Sequence, residues 1–226
     1  MPSTRKTDRK RRGGPAAPLT REHIVRTALA LVDRDGLKAL SMRRLGAELG
    51  VDPMAVYYHI PNKEALLDAI VEAVMADIDL SVDHKADPPE ERILCAAHAY
   101  LDAMLAHANA LPIVLSRGPA TAAALRPVEL LLGVLRDAGL PPAEALAGMN
   151  TIAAAVRGVV GMVASGPGKR PSPEQLESMA HGIPAGEFPY LSEAMLYAGE
   201  FADRGFDFGI RALARGLLAE VKTSFK

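Results

Sequence analysis

A single cysteine, Cys95, in a chain of 226 residues excludes an internal disulfide. It lies in an apolar helical run and reads as a small buried hydrophobe rather than a nucleophile. Catalytic signatures are missing as well. The chain has no H-E-x-x-H, no phosphate-binding Gly loop, no nucleophile elbow and no Cys/His metal cluster, and its six histidines are scattered. An enzyme is therefore not expected, and neither is a metal site or a cofactor. No segment reaches the apolar length of a membrane span, and the N-terminus is basic and polar, unlike a signal peptide. The expectation is a cytoplasmic protein with no membrane partner. No strand pattern and no internal repeat is found, so the fold class is all-α.

Hydrophobic residues make up 49% of the chain, ample for a core. The net charge is only −1, yet it is divided unevenly. Residues 1–64 hold 13 Lys+Arg against 7 Asp+Glu, a net of +6, and the remainder holds 13 against 20, a net of −7. A positive end on a negative body suits a nucleic-acid-binding head on a separate sensing or assembly domain. A basic tail on an ordinary acidic protein would give the same count.

The stretch Gly36–Asp68 carries the strongest local signals. Ser41 is an N-cap before Met42–Leu49, where Met42, Leu45 and Leu49 recur at helical spacing. Gly50 stands where a left-handed C-terminal turn needs a residue without a side chain. Asp52 is the next N-cap, and Pro53 suits the first helical position because its missing N–H would be unpaired there. A short helix, Pro53–His59, follows; Pro61 ends it and Asn62 caps a third. Helix, Gly-containing turn and short helix make a helix-turn-helix. Tyr57, Tyr58 and His59 are too many to bury on two turns, so some face a partner such as phosphates and base edges. Tyr58 either packs inward or joins them.

In this stretch Gly36-Leu37, Ser41-Met42-Arg43, Leu45, Leu49-Gly50-Val51, Tyr57-Tyr58-His59, Asn62-Lys63 and Ala65–Asp68 resemble the DNA-binding domain of the TetR family, the tetracycline-repressor-like regulators. The resemblance implies that Arg43, Pro53, Met54, Ala55, Tyr57, Tyr58 and His59 approach double-stranded DNA and that Lys63 clamps a phosphate. Pro53-Met54-Ala55 offers no Gln or Asn for an adenine edge, so base reading falls on Arg43, with methyl contacts from Met54 and Ala55. Phe188–Leu191, Phe206–Ile210 and Gly216 resemble the family's regulatory domain. That likeness implies a homodimer on a palindromic operator, with a four-helix interface from residues 142–164 and the last helix. It also implies release by a small-molecule effector.

The chain then divides into a basic arm, residues 1–18, read as disordered; a three-helix DNA-binding head, residues 19–64; a connecting helix, residues 63–80; and a helical effector and dimerisation domain, residues 81–226. The arm's Arg5, Lys6, Arg9, Lys10, Arg11 and Arg12 either lie along DNA or are solvated. Helices are expected from Arg21 to Asp35, Pro88 to about Ala108, Leu111 to Arg117, Thr121 to Ala138 through Pro127, Pro142 to about Ala164, Ser172 to about Ala180, and within 201–225. His181–Pro189 reads as a mobile Gly/Pro-rich connection, and His98 and Asp102 as a surface pair.

Isolated polar groups on apolar helices suggest a ligand pocket from Tyr100, Met104, His107, Arg117, Asn150, Arg157 and Met162. Arg157 is the sharpest, because an unpaired cation is expensive to bury. It must reach solvent, a carboxylate across a dimer, or an anionic ligand. The family's founding member holds a magnesium–tetracycline chelate through a histidine and a glutamate, and the resemblance places Val114 and Met162 there. Neither can ligate a hard cation. The expected function is a ligand-responsive, sequence-specific transcriptional regulator; the rival is an architectural DNA binder without effector control.

Overall fold

The computed structural model describes residues 19–165, 172–201 and 204–223. The arm at 1–18 and the Gly166–Pro171 loop lie outside the described residues. All regular structure among the described residues is helical.

Local signals set the head. In α1 (Arg21–Asp35) Thr20 accepts from the His23 N–H at 3.1 Å, and Ile24, Ala28, Leu31 and Val32 face inward. In α2 (Met42–Leu49) Ser41 accepts from the Arg44 N–H at 3.2 Å, and Gly50 closes the helix at φ +68°. In α3 (Pro53–His59) Asp52 accepts from the Met54 N–H at 2.8 Å. In α4 (Lys63–Ala76) Asn62 accepts from the Ala65 N–H at 2.8 Å. Each capping side chain satisfies a backbone donor that the helix itself cannot.

The connecting helix is shorter than the expected Lys63–Leu80. It stops at Ala76, and Leu80–Val82 forms a separate 3₁₀ turn. Asp79 is the cause: its carboxylate takes the Ser81 N–H at 2.8 Å and hydroxyl at 2.7 Å, offering the backbone a local alternative to helix.

The body comprises α5 (Pro89–Ala106), α6 (Leu111–Ser116), α7 (Ala122–Asp137), α8 (Pro142–Ser165), α9 (Pro173–His181), α10 (Pro189–Leu196), α11 (Ala198–Phe201) and α12 (Gly205–Thr223). Helix α5 packs on α7, α8 and α12. One core, holding Ile24, Leu45, Val56 and Ile70, runs on through Met104 and Ile113 to Val156. A second joins Ile93, Leu135, Leu140, Ile152 and Ile210. Head and body thus share apolar packing.

Several expectations change. Helices α10 and α11 occupy residues where no helix was expected; both are short, and α10 buries no residue. His98 meets Asp207 of α12 at 2.7 Å rather than Asp102, because the tertiary partner outreaches the helical neighbour. Cys95 is half-buried, not fully enclosed. By length and hydropathy α8, over Pro142–Ala164, does reach the requirements of a membrane span, contrary to expectation. Its many alanines and glycines raise the mean hydropathy. In the fold it lays Ala145, Ile152, Val156 and Val160 against its neighbours and leaves Leu146, Met162 and Val163 exposed.

Candidate nucleic-acid interface and effector cavity

Helix α3 is anchored from beneath. Val56 is fully buried and Ile60 nearly so. That turns the opposite face outward: Tyr58 is 88% exposed and Met54 71%. Tyr58 therefore stands out rather than packing in, with its ring edge-to-face to His59 at 5.3 Å. Tyr57 is 39% exposed, and Pro53, Ala55 and His59 are half-buried. Arg43 on α2 and Lys63 at the start of α4 are exposed.

The neighbouring cations are committed elsewhere. Arg34 binds Glu48 at 2.9 and 3.2 Å, and its guanidinium holds the Glu48 carboxyl below its ordinary range. Arg44 binds Asp35 at 2.5 Å. Among the described residues, Arg43 and Lys63 make no ion pair, so their charge remains available to an anionic partner.

Gly46 sets how closely α2 and α3 approach. A Cβ there would lie 3.0 Å from the Val51 carbonyl oxygen and 3.2 Å from the Pro53 nitrogen. Both are backbone atoms, which cannot swing aside. Gly46→Ala is expected to push α3 outward, lowering the melting temperature and weakening DNA binding. Thermal melting and a DNA titration on the same sample check this; unchanged values in both would show that the turn has slack.

Beneath the head lies a cavity of about 370 Å³, walled by the end of α4, the 79–82 turn, α5, α7 and α8. Most of its wall is carbon, including Met75, Leu80, Val114 and Leu131. Polar atoms come from Tyr100, Asn150, Arg157 and Asp79. Burial pushes the Tyr100 phenol above its ordinary pKa of 10, and the adjacent Arg157 pulls less strongly the other way. A second hollow of about 600 Å³ lies among α9–α11, but its Glu177, His181 and Glu193 are all exposed, so it offers no desolvated recognition group.

Three of the seven residues expected to line a pocket do so: Tyr100, Asn150 and Arg157. The other four lie outside its lining. Met104 is fully buried in the core, and Met162 is 70% exposed, outside the cavity. Met104 shares the Tyr100 face of α5 but lies one turn further along, inside the core, whereas Met162, five residues after Arg157, lies on another face of α8. His107 lies at the head–body junction, with Nδ1 2.9 Å from Asp33 on α1 and Nε2 3.1 Å from Asp77. Arg117 turns from the cavity to Asp68 at 2.5 Å and to Glu64, both on α4. Its successors Gly118 and Pro119 are the ones that line the wall. Carboxylates 49 and 53 residues away decide Arg117's direction, and local spacing carries no trace of them. Asp79 was missed; it is the extended N-cap of the 3₁₀ turn, outside the helical register from which a face could be assigned.

Helix α4 runs between the two regions, with exposed Lys63 at its start after α3 and Met75 in the cavity wall. Its C-cap, Asp77, is held by Arg26 at 2.6 and 2.8 Å as well as by His107. Those contacts, Arg26 foremost, keep the Asp77 carboxyl below its ordinary range.

Comparison with known proteins agrees with both halves. The family model described as bacterial regulatory proteins, tetR family, matches residues 24–70, and that of the tetracyclin repressor-like C-terminal domain matches residues 85–221. The tetracycline repressor protein class C of Escherichia coli is 31% identical over 209 residues, covering 88% of this chain and 90% of that protein. Apo ActR from Streptomyces coelicolor superposes with a TM-score of 0.77 at 29% identity, covering 92% of this chain and 99% of its own. ActR in complex with actinorhodin gives 0.74 at 29% identity, over 91% and 99% of the respective chains. Capped helix-turn-helix, cavity-bearing helical body and sequence kinship over nearly the whole length together establish that this chain belongs to the TetR family and is a ligand-responsive, DNA-binding transcriptional regulator.

Proposed function

We propose that the protein is a homodimeric cytoplasmic repressor, not an enzyme, that leaves a palindromic operator when a small molecule fills the cavity. The observation that carries this reading is the continuity of α4 from the outward α3 face to the cavity wall. Residues 19–64 form the DNA-binding head, α4 the link, and residues 81–226 the effector and dimerisation domain. Arg43 reads base edges. Met54 and Ala55 meet methyl groups, while Pro53, Tyr57, Tyr58 and His59 fit the groove and its phosphates. Lys63 clamps a phosphate from the α4 terminus, where the helix dipole adds to its charge. The exposed apolar side chains of α8, Leu146, Met162 and Val163, together with Phe208 of α12, supply the dimer interface.

Two recognition helices spaced about one DNA turn, roughly 34 Å, read an inverted repeat. A ligand that prefers a different cavity shape shifts the population toward a spacing that no longer fits. Arg117 is the connection in this scheme, because Gly118-Pro119 faces the ligand and the guanidinium grips Glu64 and Asp68 of α4. Arg117→Gln is expected to retain operator binding yet require roughly tenfold more ligand for release. Titration of preformed protein–DNA complex with ligand checks it. Release at unchanged ligand concentration would remove Arg117 from the path.

Selection from a pool of randomised duplexes tests the whole proposal. An enriched inverted repeat bound by a dimer is expected. A pool that stays random, bound with steep salt dependence only, would favour an architectural binder.

A further inference from the structure

Taking the cavity as the effector site, its polar groups say what kind of molecule enters. Asp79 already spends its Oδ1 on the Ser81 N–H and hydroxyl. Its Oδ2 and negative charge remain on the wall, with no ion pair to Arg157, and the other polar groups are the Arg157 guanidinium, the Tyr100 phenol and the Asn150 amide. Arg157 is half-buried on α8, between the fully buried Val156 and Val160. Among the described residues its polar neighbour is Tyr100, a neutral group whose pKa burial pushes up.

The contrast with the other arginines of limited exposure is sharp. Arg92 faces Asp83 and Asp137, Arg117 faces Glu64 and Asp68, and Arg211 faces Glu90 and Glu91. Among the described residues, Arg157 meets no carboxylate. A cation that loses hydration without gaining a countercharge is an unfavourable arrangement, and an incoming anion relieves it. Guanidinium also matches an oxyanion in a two-point geometry that a lysine cannot reproduce. The phenol, kept protonated, can donate a further hydrogen bond to the same oxyanion.

We propose that the cavity takes an organic anion, a largely apolar body bearing a carboxylate or equivalent oxyanion, held directly by Arg157 with Tyr100 beside it. The cavity volume of about 370 Å³ is near the lower end for small-molecule sites. The carbon walls take the apolar body, and the exposed Asn150 meets a polar edge.

The test compares two probes of one shape, anthracene-2-carboxylate and anthracene-2-carboxamide, by calorimetric titration into the full chain. The carboxylate is expected to bind at least about tenfold more tightly. Arg157→Gln should remove that preference, weakening the carboxylate about tenfold while leaving the carboxamide within about twofold. Arg157→Lys, which keeps the charge and loses the fork, should retain a reduced preference. The wild-type comparison stands even if a variant folds poorly. Equal affinity of the two probes for wild type, or a preference that survives Arg157→Gln, overturns the anion assignment. Equal affinity accompanied by release of bound DNA would do so while leaving the effector-site reading intact. Failure of both probes to bind protein that still binds its operator also overturns it, and leaves the DNA-binding reading untouched.

Discussion

Replacing Arg43 by alanine is expected to weaken operator binding by roughly ten- to a hundredfold while leaving the melting temperature and the oligomeric state unchanged. The size follows from the loss of one base-edge contact, worth about 1–3 kcal/mol. The specificity of the effect follows from the structure. Arg43 is exposed and makes no ion pair among the described residues, so its removal breaks nothing inside the head. Arg44, one residue on, gives the contrasting control. It is paired with Asp35 at 2.5 Å on a wet surface, and Arg44→Ala is expected to cost about 0–1 kcal/mol of stability with little change in DNA affinity. Fluorescence anisotropy at fixed salt, with thermal melting of the same samples, separates the two. An unfolded or dissociated Arg43→Ala protein would mean that a structural residue had been taken for a reader.

The largest stability effect is expected at Arg92, with Arg92→Ala costing about 3 kcal/mol. Its side chain is only 5% exposed, and its partner Asp83 only 11%. Nε and Nη2 of Arg92 reach Asp83 at 2.6 and 3.1 Å, and Nη2 also reaches Asp137 at 2.9 Å. Truncation would leave the nearly buried Asp83 only the longer contact to the exposed Lys85 at 3.5 Å, while Asp137, about half exposed, would keep Lys85 at 2.7 Å and rehydrate. The same loss would loosen the turn at Leu80–Val82, part of the cavity wall, so ligand affinity should fall with stability.

A pH dependence accompanies this pair. The Arg92 hydrogen bond, above all, holds the Asp83 carboxyl below its ordinary value of 3.8. A depressed carboxyl contributes stability that is fully present above the unfolded value and is lost as pH falls through the folded one. The gap between wild type and Arg92→Ala should therefore be full near neutral pH and shrink below about pH 4. Urea unfolding across that range checks it; a gap that widened on acidification would refute the assigned pairing.

The head was legible because its signals are local. Ser41, Asp52 and Asn62 each cap a helix from within three residues, and Gly50 takes the left-handed turn that only local backbone demands. The outward direction of Tyr58 was not legible. It depends on Val56 and Ile60 claiming the one inward face of α3, a choice made by the core they share with residues of α1, α2 and α4. In the body, long apolar helices showed their extents but not their facings. Tyr100, Asn150 and Arg157 were found as polar interruptions of apolar runs. By the same rule Met104, His107, Arg117 and Met162 looked equivalent, and only tertiary partners separate them. His107 and Arg117 went to carboxylates on α1 and α4 that lie far off in sequence. The end of α4 was missed because Asp79, a polar residue in a helical pattern, gives no sign in advance that it will turn back on Ser81.

The most direct measurement is a titration of purified protein against the intergenic DNA beside its own gene, with scrambled competitor present at fixed salt. Tight, competitor-resistant binding by a dimer is predicted, with protection of an inverted repeat and loss of that protection in Arg43→Ala. Weak binding that follows salt alone and ignores the Arg43 substitution would contradict the account.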